Sequence, residues 1–490
     1  MSNLLWQIDL YGPSLWEYLK CPSPFSWKSP SAADLAMLKA LQPNILKAHT
    51  REFLTVLFVR FDDAAVAREA LRKIAQTLMK SALKHLQEVE AFHATDTPGT
   101  SYVGVGLTAK GYDKLGIPAE KKPSDPSFLQ GMQSAGLGDS EPASWEAPFK
   151  QDVHAVILIG DQLKPPRDAM LAKVIALLTP GAKFHVTTQK GLGLHNRNGE
   201  GIEHFGYVDG RSQPIFLTED VDAERLRQDG ATNWDPKFGP GRAIVPDPTG
   251  VEPSNQFGSY FIYRKLEQNV RQFKDEENKL ATRLGLIGND VERAGAMIIG
   301  RFEDGTPLAI QADAGSHSPV PNDFTYDSDG DGGKCPFFAH IRKVNPRSSG
   351  GFEPAAGERL HIMARRGQTY GVRTDDPNDG QLTNKPKKGV GLLFMAFNAN
   401  ISEQFEFAQK TWANNVGFPK VPAGRGIPGL DMVIGQGQRP TIDCPTKWGA
   451  DFAKVAPKEE HKEVASVPQA VTMKGGEYFF MPSLPTLASL

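Results

Sequence analysis

Three short stretches of this chain hold residue types that could do chemistry together. The first is Phe205-Gly206-Tyr207-Val208-Asp209-Gly210-Arg211-Ser212-Gln213-Pro214, which follows a glycine-rich loop (Gly191, Gly193, Gly199, Gly201). Asp209 can accept and return a proton. The glycines on either side of it let the backbone come close to something flat or bulky, although a lone Asp-Gly pair is more often a plain turn. The second stretch is Cys335-Pro336-Phe337-Phe338-Ala339-His340-Ile341-Arg342-Lys343-Val344-Asn345-Pro346-Arg347. A histidine among apolar residues, followed by three cations, would suit a flat hydrophobic macrocycle bearing propionates. A lone histidine of this kind is more often a satisfied core residue than a ligand. The third is His361-Ile362-Met363-Ala364-Arg365-Arg366-Gly367. A strand-end arginine usually makes a surface ion pair, but two beside a glycine strengthen the case for an anion- or oxygen-binding site.

Two other patterns carry less. Gly104, Gly106 and Gly111 precede a helical patch, but the spacing is not that of a dinucleotide fingerprint and no acidic residue follows at the right distance. Asp327, Asp329, Asp331 and Gly332 open like a calcium loop, yet the twelfth position is Phe338 rather than Glu, so an acidic turn is the better reading.

These residues need a scaffold, and the apolar pattern supplies one. Phe53–Phe61 reads as a buried strand and 64–91 as one long amphipathic helix. Residues 102–107 form a strand, with a short helical patch around 110–115. Residues 116–150 form a long loop rich in Pro, Gly and Ser. A strand at 155–159, a helix at 167–178 ended by Pro180-Gly181, and a strand at 183–188 complete a βαββαβ order. The order recurs with a strand at 260–264, a helix at 266–286, strands at 360–364 and 391–397, a helix at 402–413 and a strand at 478–481. The second copy carries an insertion at 287–358. The expected fold is α+β, with two ferredoxin-like domains built on antiparallel sheets. The expected boundaries are an irregular arm at 1–40, a first domain at 41–225 carrying Asp209, and a second at 226–490 carrying His340. A Lys- and Glu-rich stretch at 449–472 is expected on the surface.

Composition narrows the function classes. The 490 residues carry a net charge of only −2, without the basic footprint of a nucleic-acid binder. The longest apolar runs are too short to span a bilayer, and the first residues lack an export signal. The three cysteines, Cys21, Cys335 and Cys444, are scattered and form no CxxC pair. Neither a disulfide framework nor a zinc site is expected. A cytoplasmic location follows, with neither nucleic acid nor membrane as partner.

Taken together the segments resemble the dye-decolorizing peroxidase family. The resemblance begins at Leu41-Gln42-Pro43-Asn44-Ile45-Leu46-Lys47, with Pro43 where glycine is usual. It continues through Gly206-x-x-Asp209-Gly210 with its Ser-Gln-Pro extension and through Ala339-His340-Ile341-Arg342-Lys343-x-Asn345-Pro346-Arg347. It closes at Leu392-x-Phe394 and Gln404-Phe405-Glu406. Length and the missing export signal look most like the longer cytoplasmic bacterial branch.

The resemblance implies one haem b per chain, bound mainly by the C-terminal domain, with His340 as the iron ligand. It implies Asp209 as distal acid/base and Arg365 as distal arginine, with Arg366 left as the alternative. Gly210, Leu392 and Phe394 would line the haem pocket, and Arg342 and Gln213 would hold the propionates. Glu406, with Glu403 behind it, would be the carboxylate partner of His340. The implied partners are hydrogen peroxide and an aromatic or dye-like reductant, and a homo-oligomer is allowed. The implied reaction oxidises dyes and phenols through a high-valent iron-oxo intermediate. A haem-handling protein for storage, transfer or iron release is the competing reading. Bulky dyes would need a surface aromatic as electron relay. Trp412, Tyr370 and Tyr207 stand near the motifs, though aromatics more often fill cores.

Overall fold

The computed structural model describes residues 23–178, 183–227, 233–252, 255–315, 319–377, 379–447 and 460–490. Residues 1–22 of the expected arm, Cys21, the Pro180-Gly181 breaker and 449–459 of the expected surface stretch lie outside these. The described part of the arm is not wholly irregular. Ala32–Ala40 is a helix opened by a capping box between Ser31 and Asp34.

The first half contains β1 (Phe53–Phe61), α1 (Ala64–Leu78), α2 (Ala82–Thr95), β2 (Tyr102–Leu107), β3 (Ala155–Asp161), α3 (Lys164–Leu178) and β4 (Phe184–Leu192). The second contains β5 (Phe257–Gln268), α4 (Val270–Leu284), β6 (Ala364–Arg365), β7 (Gln368–Tyr370), β8 (Gly391–Asn398) and β9 (Val471–Met481). The strands run in the order β4-β1-β3-β2-β9-β5-β8-β6, with β7 also on β8. Each half thus places its fourth strand beside its first, then its third, then its second. Every pairing among these strands is antiparallel. This is the expected α+β arrangement, built twice.

The two halves join where Phe480 of β9 faces Leu107 of β2. The far edges of the sheet also meet. Gln368 Nε2 donates to the Glu52 carbonyl at 2.9 Å, and the Thr369 hydroxyl donates to the Leu192 carbonyl. The core sits on the strands. β1, β2 and β3 are almost wholly buried, and each such Leu, Ile, Val or Phe contributes about 1.5–3 kcal/mol of burial free energy. Gly104 and Gly106, the false dinucleotide lead, lie in β2. A Cβ on Gly106 would stand 2.7 Å from the Met481 sulfur and 3.0 Å from Val156, so close sheet packing explains that glycine.

Three elements differ from the sequence expectation. The helix over 64–91 is two helices. Ser81 Oγ caps α2 by accepting from the Lys84 amide, the Ala82 amide donates to the Leu41 carbonyl, and Lys80 turns inward to Glu88 and Thr100. Tertiary pairing overrides an unbroken helical pattern here. β5 continues to Gln268, so the helix begins at Val270 rather than 266; Asn269 caps it through the Gln272 amide. The strand expected at 360–364 shrinks to β6, after a 3₁₀ turn at Arg359–His361. The expected helix at 402–413 is present with π-type turns at Ser402–Glu406 and Ala408–Ala413, a form common at functional sites.

Candidate active site

A cavity of about 500 Å³ opens between the two halves, large enough for a cofactor-sized group. Its lining includes Asp209, Gly210, Gln213, His340, Arg365, Leu392 and Phe394. Residues about 150 positions apart in sequence thus face one space, and both halves supply walls.

His340 opens a short helix, α5 (His340–Val344). The loop before it is held by the acidic turn. Asp329 is fully buried, and its carboxylate accepts the Lys334 and Cys335 amides and Arg342 Nη1, each at 2.8 Å. Arg342 Nη2 donates to the Asp329 carbonyl at 2.8 Å, and Nη1 also reaches the Cys335 carbonyl at 2.5 Å. Arg342 is therefore not a cavity residue. It closes the loop that presents His340, which corrects its expected role as a propionate holder. Arg347, five residues on, lines the cavity instead. It sits between the Phe324 and Trp234 rings, and its guanidinium bonds Ser212 Oγ and Asn322 Oδ1 at 2.7 Å each. Burial pushes its pKa down to about 9.

The carboxylate partner of His340 is Asp431. His340 Nδ1 donates to Asp431 Oδ2 at 2.8 Å. Asp431 is fully buried, and its other oxygen accepts the Val433 and Ile434 amides at 2.8 and 2.9 Å. Burial alone would raise this carboxyl. The charge and hydrogen bond of His340, with the two amides, hold it below its ordinary value instead. Burial would likewise lower His340, and the charge and hydrogen bond of Asp431 raise it; Arg365 and Asp209 also act on it through space. With its proton on Nδ1, the ring offers the Nε2 lone pair, which has no hydrogen-bond partner among the described residues. That is the donor a metal centre needs.

Glu406 does not serve this role. Its two oxygens accept Tyr478 Oη and Lys410 Nζ, both at 2.8 Å. Glu403 offers its backbone carbonyl to His361. The expectation of Glu406, with Glu403 behind it, is thus overturned: Asp431 holds the ring, the Glu406 carboxylate is taken by Tyr478 and Lys410, and Glu403 is exposed. Asp431 was missed because it stands 91 residues from His340. The only local sign is an acid between apolar residues after Gly429-Leu430.

Asp209 and Arg365 are set by one another's neighbours. Gly206 and Gly210 have φ of 104° and 86°, which L side chains rarely adopt. A Cβ on Gly210 would meet nothing within 4 Å, so the turn rather than space requires that glycine. The Asp209 amide donates to the Gly201 carbonyl at 3.0 Å, and its Oδ1 accepts the Gly210 amide at 2.6 Å. Arg365 pairs with Ala396 of β8. Its amide donates to Gln213 Oε1 at 2.9 Å and its Nη2 to the Arg211 carbonyl at 2.8 Å. The Asp209 turn and β6 are thereby pinned together. Arg366 also lines the cavity, but its guanidinium is taken up by backbone carbonyls. It is buried and donates to the carbonyls of Asn44, Ile45 and Arg365 at 2.8 Å each.

Leu392 and Phe394 are the alternate positions of β8 that face the cavity, while Leu393 and Met395 enter the core. Trp412, Tyr370 and Tyr207 are all buried at 1–4% exposure, so none presents a ring at the surface. Trp412 stacks on Phe418, and the packing reading holds for it.

An acid, a cation and a histidine whose Nε2 has no hydrogen-bond partner among the described residues thus line one cavity with apolar walls. Comparison with known proteins identifies the family of the chain. Residues 40–191 match the model of the DyP dimeric alpha+beta barrel domain. The "Multifunctional dye peroxidase DyP2" of Amycolatopsis sp. (strain ATCC 39116 / 75iv2) is 57% identical over 472 residues, covering 95% of this chain and 98% of that protein. The chain belongs to the dye-decolorizing peroxidase family. The solved structure of that Amycolatopsis protein superposes with a TM-score of 0.91 at 55% identity, covering 96% of this chain and 99% of the other. A DyP-type peroxidase from Anabaena sp. gives 0.87 at 34% identity, covering 96% and 99%. The dye-decolorizing peroxidase AauDyP1 of Auricularia auricula-judae is 29% identical, covering 79% of this chain and 74% of its own. Membership in the dye-decolorizing peroxidase family agrees with the doubled antiparallel sheet.

Proposed function

We propose that this chain is a haem peroxidase that uses hydrogen peroxide to oxidise dyes and phenols, with one haem b per chain. The observation that carries this reading is the pairing of His340 Nδ1 with Asp431, which leaves Nε2 without a partner among the described residues at a cavity of about 500 Å³. The residues fit a haem: an imidazole ligand, apolar walls from Leu392 and Phe394, Gln213 as a cavity-lining donor for a carboxylate, and the Arg347 guanidinium, itself bonded to Ser212, Asn322 and Phe324, as a nearby cation. Gln213 uses its oxygen on the Arg365 amide, which leaves its Nε2 without a partner among the described residues.

A haem held by His340 would supply a redox-active iron. The protein supplies the rest. Asp209 takes a proton from one oxygen of hydrogen peroxide and returns it to the departing oxygen, so that water leaves. The Arg365 guanidinium stabilises the charge that develops as the O–O bond breaks. Asp431 holds the His340 tautomer and raises the basicity of Nε2.

The domain boundary is proposed at 225/226, on the repeated strand order. A cytoplasmic location is proposed on Cys335 and Cys444, which are free and buried. No helix of the described residues is long and apolar enough to cross a membrane. A dye-decolorizing peroxidase has been solved in complex with 2,6-dimethoxyphenol, and this phenol is proposed as a donor here. The test is peroxide-dependent oxidation of 2,6-dimethoxyphenol by the haem-loaded protein, alongside Arg365→Leu. Turnover by the parent and its loss in a variant that keeps haem supports the enzyme. Haem binding without turnover in either supports a haem-handling protein.

A further inference from the structure

Lys343 stands three residues after His340 on the same short helix α5 and is fully buried. Its ammonium donates to the carbonyls of Asn415 at 2.7 Å, Gly429 at 2.7 Å and Phe418. An ammonium has three donors and no acceptor, so its hydrogen-bonding capacity is filled. All three acceptors lie on the segment that leads to Asp431. That segment closes on itself, for the Asp431 amide donates to the Ala413 carbonyl at 2.9 Å and the Gly429 amide to the Val416 carbonyl at 3.0 Å. Burial draws Lys343 down to about 7, and the Asp431 charge draws it back up.

One turn of helix therefore carries both the imidazole and the cation around which the loop bearing its carboxylate partner is folded. We propose that Lys343 is a positioning residue: by gripping three carbonyls of the 413–431 loop it fixes Asp431 against His340 and so sets the basicity of the iron ligand. This rests on the reading that His340 carries a haem iron. Backbone carbonyls impose no choice of side chain along the loop. The information sits in Lys343 itself, and the effect of removing it must pass through Asp431.

The experiment is the Fe–His stretching frequency of the ferrous haem protein by resonance Raman, in the parent, Lys343→Met, Asp431→Asn and the double variant. Lys343→Met should shift the band down towards the Asp431→Asn value, and should add no further shift in the Asp431→Asn background. An unshifted band in haem-loaded Lys343→Met overturns the proposal. So does an equal downward shift in both backgrounds, which would make Lys343 a general stability element. If Lys343→Met does not fold, Lys343→Gln, which keeps two N–H donors one bond shorter, carries the same comparison with a smaller expected shift. Failure of both to fold also overturns a specific positioning role. A parent protein that binds haem without any Fe–His band would instead refute His340 as ligand, and the parent spectrum reports that alone.

Discussion

His340 and Asp431 form a buried donor–acceptor pair at 2.8 Å across 91 residues of sequence. The carboxylate is otherwise saturated by the Val433 and Ile434 amides, so it cannot turn away from the ring. The His340 ring is thus oriented by a group on a separate loop.

Replacing that carboxylate should weaken the ligand. Asp431→Asn keeps the shape and an acceptor but removes the charge. Losing such an outer partner typically costs about 10–100-fold in activity or affinity. Stopped-flow measurement should show the reaction with hydrogen peroxide slowed by that order. An unchanged rate would remove Asp431 from the proximal role.

The two adjacent arginines should separate cleanly. Arg365→Leu should keep haem and slow the peroxide reaction by about 10²-fold, the order expected for one preorganised charge donor. Arg366→Leu should leave that rate in place and cost about 2–4 kcal/mol of stability, because it strands buried carbonyls. Peroxide kinetics and urea unfolding of both variants check this. A kinetic loss in Arg366→Leu alone would reverse the assignment.

Glu406→Gln should disturb neither the haem spectrum nor the peroxide rate. Its loss should be confined to about 1–2 kcal/mol of stability from the weakened Lys410 and Tyr478 bonds. A changed Fe–His band in this variant would restore Glu406 to the proximal side.

The haem-free protein should show a pH signature of the His340–Asp431 pair. Asp431 lies below its ordinary value in the fold. Its contribution is present above the unfolded carboxylate pKa of about 3.9 and is lost as pH falls through the depressed folded value. His340 lies above its ordinary value. Its contribution is full below about pH 6.5 and is lost as pH rises through the raised folded value. The stability difference between haem-free parent and Asp431→Asn should therefore peak between roughly pH 4 and 6.5. Urea midpoints across pH measure it, and a flat difference would contradict the ion pair.

Much of this architecture is legible locally. The strands β1 and β8 are legible as apolar runs, whereas Leu392 and Phe394 as pocket residues are implied only by the family resemblance. The Asp209 turn reveals itself through its glycines. What sequence hides is direction and distance. Arg342 and Arg347 sit in one cation row, and only burial against Asp329 tells the loop staple from the cavity residue. Glu406 and Asp431 are both carboxylates downstream of His340, and only the fold brings the second one to the ring. The break at Ser81 is likewise invisible, because contacts with Leu41, Glu88 and Thr100 create it.

The most direct test is the absorption spectrum of the haem-loaded parent and of His340→Ala, recorded before and after stoichiometric hydrogen peroxide. The parent should give a strong haem band that converts rapidly to an oxidised spectrum and returns on adding a phenol. His340→Ala should lose the haem or its normal axial ligation. A His340→Ala protein with the parent's spectrum, or a parent whose haem band only bleaches, would contradict the account.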